Sequence, residues 1–211
     1  MNNYLASIKR CKNYRKKILL LSKKLSALHI APAFSCIEIV DFIYSKFIKK
    51  KENIFIMSKG HASIIQYIVL NEKGVISNKQ LDRFCKPNGI LGTHPDYGTP
   101  GIYASTGSLG HGAGLAVGRA YAKKAMKQKG FVICLLSDGE LQEGSTWEAV
   151  MMAANKKLDN LIFFVDNNDF SGLERMSVSH KAFYPIDKKF SSFGWQTSKV
   201  DGHNYNQINN C

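Results

Sequence analysis

Two short runs, Phe131–Leu136 and Asn160–Val165, are almost wholly apolar, and each runs straight into a polar loop. Ser137-Asp138-Gly139-Glu140 follows the first and Asp166-Asn167-Asn168-Asp169 the second. Between them, residues from about Ser145 to Lys156 have helical spacing. A strand with no polar face must be covered on both sides, so the pair predicts an α/β fold: a parallel sheet with helices on both faces. Ligands of open parallel sheets collect at the carboxyl ends of the strands, and both polar loops fall at that edge.

The rest of the chain extends this pattern. Asn53–Met57 reads as a third short strand, and Ser58-Lys59-Gly60-His61 opens a helix through about Asn71. Upstream, helical spacing predicts one helix over residues 3–26 and another over Ile37–Ile48. A turn at Leu28–Pro32 separates them, and Ser35 is the candidate cap of the second. A short helix from Ser77 or Asn78 to Phe84 precedes Lys86–Gly107, a Gly- and Pro-rich stretch expected to form a long ordered loop. From Gly110 to Lys127, small residues recur in helical phase, which suits close approach by another backbone, either a second subunit or this one. No repeat, linker or compositional shift divides the chain, so residues 1–211 are expected to form a single domain.

Charge needs separate treatment, because 29 basic against 16 acidic residues give a net +13. Eight of the basic residues precede residue 29, with no acid before Glu38. Leu5, Ile8, Ile18, Leu19, Leu21, Leu25 and Leu28 keep roughly helical spacing through that stretch, so its charges read as a solvated helix face. A transit peptide or a nucleic-acid patch are the alternatives. Nucleic acid has only net charge behind it, since no recognised motif or aromatic-basic interleaving accompanies it. The longest aliphatic run, Ile18–Leu21, is far below the about 20 residues that span a bilayer, so no membrane partner is expected. Five scattered cysteines without a CxxC pair argue against a disulfide framework or a zinc site and for a reducing, cytoplasmic setting.

At the sheet edge, Asp138 offers a carboxylate, Gly139 permits close backbone approach and Asn168 offers an amide oxygen. An all-oxygen, low-charge set suits Mg2+ or Ca2+, and Mg2+ held by one carboxylate completes its shell with phosphates and water. Ordinary turn and cap roles for Asp138 and Asn168 are the alternative.

Ser137-Asp138-Gly139 followed after 28 residues by Asn168 resembles the diphosphate-binding motif of thiamine-diphosphate enzymes. Leu141-Gln142-Glu143-Gly144, Ser58-Lys59-Gly60-His61-Ala62, Gly92-Thr93-His94-Pro95, Thr99-Pro100-Gly101 and Ser105–Gly110 resemble transketolase in the same order. So do Phe193-Gly194-Trp195 and Val200-Asp201-Gly202-His203. From about residue 14 onward the chain resembles the N-terminal, diphosphate-binding subunit of a two-chain transketolase.

The resemblance implies a thiamine-diphosphate-binding fold and a set of roles. Asp138, the Asn168 side chain and the Phe170 carbonyl would hold Mg2+, with Gly139 against the diphosphate. Gly107 and Leu109 would meet the aminopyrimidine. His29, His61 and His94 would line the channel as catalytic groups titrating near neutrality, His61 also touching the cofactor. Glu143 would sit near a partner-facing carboxylate cluster. Lys59 is a candidate for substrate phosphate, with a solvated helix start as its alternative. The implied reaction is transfer of a two-carbon ketol unit between phosphosugars. The glutamate that activates the pyrimidine belongs to the other domain type, so a transketolase C-terminal subunit is the expected partner, in a two-plus-two hetero-oligomer. The alternatives are a deoxyxylulose-phosphate synthase or a noncatalytic subunit. This sequence departs from the family at Ala31 and Pro32 after His29, at His111 in place of Gln, and at Ser137 in place of Gly. Family subunits also continue for roughly 60 further residues, so a shortened member with an unpaired strand edge is expected.

Overall fold

The computed structural model describes residues 2–25 and 28–211. Helix α1 (Asn2–Ser22) turns Ser7, Cys11, Tyr14, Ile18 and Leu21 inward. It stops short of the expected residue 26: Lys23 and Lys24 form an exposed turn, and Leu25 beyond it packs on the core outside the helix. Ser26 itself lies outside the described residues. The basic charge of α1 is only partly solvated: Arg10 forks onto Asp41 at 2.8 and 2.7 Å, and Arg15 onto Glu38 at 2.6 and 3.0 Å. Lys17 pairs with Glu72. These bonds dock α1 on its neighbours, while Lys9, Lys12 and Lys16 stay exposed.

The expected turn at Leu28–Pro32 runs into a short helix, α2 (Ile30–Ser35), broken at Cys36 from α3 (Ile37–Lys46). Pro32 falls in the first turn of α2, where its missing N–H has no helical acceptor to lose. Ser35 therefore ends a helix instead of capping one.

Strands β1 (Ile54–Met57), β2 (Val132–Ser137) and β3 (Leu161–Asp166) form a parallel sheet in the order β1-β2-β3. Alternation sends Phe55, Met57, Ile133 and Leu135 into one core with α1, α3 and α4 (Ser63–Glu72). Ile56, Val132, Cys134 and Leu136 enter the other, with α6 (His111–Ala125) and α7 (Gly144–Asn155). Between α4 and α6 lie α5 (Asn78–Leu81), started by a Ser77–Gln80 capping box, and the long loop, which has no helix or strand from Asp82 to Gly110. Central β2 is buried on both faces, as its apolar run predicts. The equally apolar β3 is not: Ile162–Val165 are half-buried, because among the described residues nothing pairs with its outer edge.

After β3 comes a hairpin, β4 (Phe170–Ser171) and β5 (Glu174–Arg175), then α8 (Met176–Ser179), α9 (Ile186–Ser192) and α10 (Tyr205–Asn210). Trp195 stacks on Phe163 of β3 at 4.9 Å between ring centroids and donates to the Val150 carbonyl at 3.0 Å.

Glycines on α6 serve opposite ends. A Cβ on Gly112 would lie 2.2 Å from Ser58 Oγ and 2.7 Å from Ser58 Cα, so the helix start rests directly on the end of β1. A Cβ on Gly118 would meet open space. Gly112→Ala is expected to cost about 2–3 kcal/mol through overpacking, whereas Gly118→Ala is expected to gain up to about 1 kcal/mol from helix propensity. Urea melts of the two variants check this, and similar shifts in both would contradict the packing argument.

Candidate active site at the sheet edge

Ser137 and Asp166 pair in register at the ends of β2 and β3, so the two polar loops leave the sheet side by side. The Asp138 N–H donates to the Asp166 carbonyl at 3.2 Å and ties them together. The Asp138 carboxylate is fully buried. Its Oδ1 accepts from Gly139 N at 2.9 Å and its Oδ2 from Asp169 N at 2.7 Å. No basic side chain forms an ion pair with it among the described residues. Burial pushes its carboxyl up to about 6. Among the described residues its hydrogen bonds all come from backbone N–H groups, and the Lys59 ammonium that acts on it is committed to Asp166, so a bound cation would supply the charge this carboxylate still lacks.

Asn168 stands beside it with its amide orientation fixed: Nδ2 donates to Asp166 Oδ2 at 3.1 Å, and Oδ1 accepts from Phe170 N at 2.9 Å. One carboxylate, one amide oxygen and the neighbouring Phe170 carbonyl are hard oxygen donors of the kind Mg2+ takes. No cluster of three or more His, Cys, Asp or Glu suited to a metal exists among the described residues. A Cβ on Gly139 would lie 3.0 Å from Ser171 Oγ, so the hairpin packs closely on one side of this glycine. The hairpin carrying Ser171 is fastened by Asp169, whose carboxylate accepts from Ser177 N at 2.7 Å, Ser177 Oγ at 2.8 Å and Tyr184 OH at 3.1 Å.

The three histidines come from three separate segments and converge. The His29 ring lies 6.1 Å from that of His61 and 6.2 Å from that of His94. Two glycines permit the approach. A Cβ on Gly60 would lie 2.9 Å from both Gly107 N and Thr106 Oγ1, and one on Gly107, at φ +149°, would lie 2.9 Å from His94 Cγ. Gly107 thus supports His94 directly. Leu109, His29, His61, Asn168 and Phe170 line one groove of about 2900 Å³, which continues along the open edge of β3 to Phe131.

The surroundings of His61 work against the expected titration near neutrality. Burial, then Lys59 and the two neighbouring imidazoles, push it down to about 4. Because the unfolded chain binds this proton near 6.5, the contribution of neutral His61 to stability is present above that pH. It is lost as pH falls toward about 4. Asp138, raised instead, has the opposite sign, so a global stability curve mixes the two. NMR of the His61 ring is the clean measurement: its shifts should stay flat from pH 8 to about 5.5. A midpoint near 6.5 would show the ring to be solvated.

Lys59 corrects both of its sequence readings. It is neither a solvated helix start nor free for a substrate phosphate, because its side chain is fully buried. Its Nζ is paired with Asp166 and also donates to the Pro32 carbonyl at 3.1 Å. Burial opposes the ammonium charge, but Cys36, Asp166 and Asp138 around it together outweigh burial and hold Lys59 above the ordinary lysine value. Cys36 alongside is pushed up to about 12 by burial and stays a neutral thiol. Asp166 Oδ1 accepts from Ser35 Oγ at 2.8 Å, so α2, β3 and the helix start at Lys59 meet on one carboxylate.

Sequence reasoning overlooked Asp166, Ser58 and Glu140. Their one signal was polarity at the ends of apolar strands, which also marks ordinary turns. Glu143 and His111 are exposed beside Gly110. A Cβ on Gly110 would lie 2.8 Å from Glu143 Cβ.

Residues 29–211 match the family described as transketolase, thiamine diphosphate binding domain. A transketolase family protein of Sinorhizobium fredii is 40% identical over 158 residues, 73% of this chain and 55% of that protein. An apulose-4-phosphate transketolase subunit of Actinobacillus succinogenes is 35% identical over 210 residues, covering 95% of this chain and 76% of that one. The crystal structure of transketolase from Campylobacter jejuni superposes with a TM-score of 0.71 at 32% identity, over 75% of this chain and 26% of that one. The chain therefore spans about half the length of the first relative, three quarters of the second and a quarter of the third.

Proposed function

Since this chain belongs to the transketolase family and carries its thiamine diphosphate-binding domain, we propose that it is the cofactor-holding subunit of a two-chain transketolase. In this reading residues 1–211 form one diphosphate-binding domain, and a cytoplasmic setting accords with five cysteines that are all free thiols. The observation that carries the reading is the buried Asp138 carboxylate, with no ion-pair partner among the described residues, at the same sheet edge as Asn168 and the converging histidines. Asp138, Asn168 and the Phe170 carbonyl would hold Mg2+, with Gly139 beside the diphosphate and Gly107 and Leu109 beside the pyrimidine. When bound, thiamine diphosphate supplies the carbanion and electron sink for moving a two-carbon ketol unit between phosphosugars. The chain's own part is to orient that group and its substrate. Neutral His61 offers one donor and one acceptor nitrogen to sugar oxygens; His29 lines the same groove, and His94 stands behind it with its ring 6.2 Å from that of His29.

The partner belongs on the outer face of α6 and α7. Leu115, Tyr121, Met151 and Met152 are exposed there, and Gly114 and Gly118 present bare backbone. That apolar face, rimmed by Glu143 and Glu148, suits a pyrimidine-binding C-terminal subunit in a two-plus-two assembly. Relatives named for apulose-4-phosphate, a phosphosugar, and for 6-deoxy-6-sulfo-D-fructose, a sulfonated sugar, differ in their substrates, so the proposal names phosphosugars without choosing among them and leaves sulfonated sugars as an outcome of the test.

The test is titration of the chain with thiamine diphosphate, with and without Mg2+ and a transketolase C-terminal subunit, followed by a two-carbon transfer assay on the mixture. Mg2+-dependent binding and partner-dependent turnover are expected. Absence of cofactor binding in the presence of the partner would remove the proposal.

A further inference from the structure

Glu140 is fully buried and forms no ion pair with a basic side chain among the described residues. Its Oε1 accepts from Ser58 Oγ and from Gly110 N, the latter at 2.8 Å. Oε2 takes a longer bond from Ser137 N at 3.4 Å, and the Glu140 N–H donates to Ser137 Oγ at 3.2 Å. Ser58 follows β1, Ser137 closes β2 and Gly110 precedes α6, so one carboxylate joins the ends of three elements. The close approach of Gly112 to Ser58 is the same joint seen from the helix side.

A buried carboxylate is a costly way to fill space, and an apolar side chain would pack there at lower cost. What the carboxylate supplies is acceptors for donors that nothing else satisfies. The first N–H groups of a helix have no intrahelical partner. At the start of α6 no side chain of the capping residue, Gly110, serves that purpose. Gly110 lies in the left-handed region at φ +84°, and its N–H is held by Glu140. The segments tied together carry His61, then Gly107 with Leu109, then Asp138 with Gly139. Those are the pyrimidine-facing and diphosphate-facing halves of the proposed cofactor cleft.

We infer that Glu140 is a positioning residue that fixes the spacing between the Gly107–Gly110 loop and the Ser137–Gly139 loop, so that both halves of thiamine diphosphate are met at once. The inference rests on the proposed cofactor for its ligand, but the clamp itself exists without one. The bond from Gly110 N is shorter than that from Ser137 N, 2.8 against 3.4 Å, so losing Glu140 releases the pyrimidine side more than the diphosphate side.

Glu140→Ala and Glu140→Gln in the full chain separate these possibilities. Amide exchange of Gly110 should quicken at least about thirtyfold in Glu140→Ala and less in Glu140→Gln, which keeps one acceptor oxygen. The Cys134 amide in the middle of β2 should not change. By calorimetry, Glu140→Ala should weaken Mg2+-thiamine diphosphate by about 10- to 100-fold and Mg2+-pyrophosphate by less than about threefold. Glu140→Gln should recover most of that loss. Unchanged Gly110 exchange, or equal weakening of both ligands, overturns the inference. If Glu140→Ala does not fold, Glu140→Gln and Ser58→Ala carry the same comparison. Should the wild-type chain with a C-terminal subunit bind neither ligand, the proposed function fails, and Gly110 exchange still decides the clamp.

Discussion

Replacing Asp138 by alanine is expected to lower Mg2+-dependent affinity for thiamine diphosphate by at least about a hundredfold. The size follows from the donor set. Asp138 is the one carboxylate among the three proposed ligands, and neither the Asn168 amide nor the Phe170 carbonyl brings a formal charge. Among the described residues no basic side chain is paired with its carboxylate, so a cation entering this corner meets an anion already taken out of water. Alanine also removes the acceptor for Asp169 N, which starts the loop leading to the hairpin. Calorimetry with thiamine diphosphate in Mg2+ and in EDTA measures the loss, and thermal melts show whether the variant is folded. Asp159→Ala serves as the control, because that side chain is 85% exposed and far from the sheet edge. Asp138→Ala binding like wild type would place the metal elsewhere.

The second large effect is on stability. Lys59→Met should destabilise the fold by about 3–5 kcal/mol, because it leaves the nearly buried Asp166 carboxylate without its ammonium. For a chain of this size, that lowers the melting temperature by roughly 10 °C. Lys59→Met combined with Asp166→Asn should recover a substantial part, since neither charge is then stranded, and an amide in place of the Asp166 carboxylate can still meet Ser35 and Asn168. The double-mutant cycle is the decisive measurement. A Lys59→Met protein that melts like wild type but binds phosphosugar more weakly would return Lys59 to the substrate role that its burial now denies it.

The sheet was legible because its cause is local. Phe131–Leu136 has no polar side, and only burial between two layers accommodates that. Asp138 and Asn168 were legible for a related reason, since they follow the strands at the edge where the chain must turn. Lys59 was not. Its burial depends on Asp166, 107 positions away, and on the Pro32 carbonyl of a six-residue helix in the stretch read as a turn. Nor could apolarity alone separate β2 from β3. Both runs are equally hydrophobic, but the neighbour that buries a strand is a property of sheet order. The hairpin over Gly139 escaped as well, because its strands are two residues each in a polar stretch.

The strand order β1-β2-β3 also has a consequence for the time course of folding. Partners in β2 and β3 are about 30 residues apart in sequence, whereas those in β1 and β2 are nearly 80 apart, with the long loop between them. Joining the more distant pair costs about 0.9 kcal/mol more in chain entropy, with no compensating helix across much of the loop. The β2–α7–β3 unit should therefore form first, and β1, though synthesised earlier, should dock late. Substitutions in α7 would then slow folding, while substitutions in β1 would mainly speed unfolding. The joint at Ser58, Gly112 and Glu140 would be among the last to close, so that the cleft is completed only once the rest of the chain is in place.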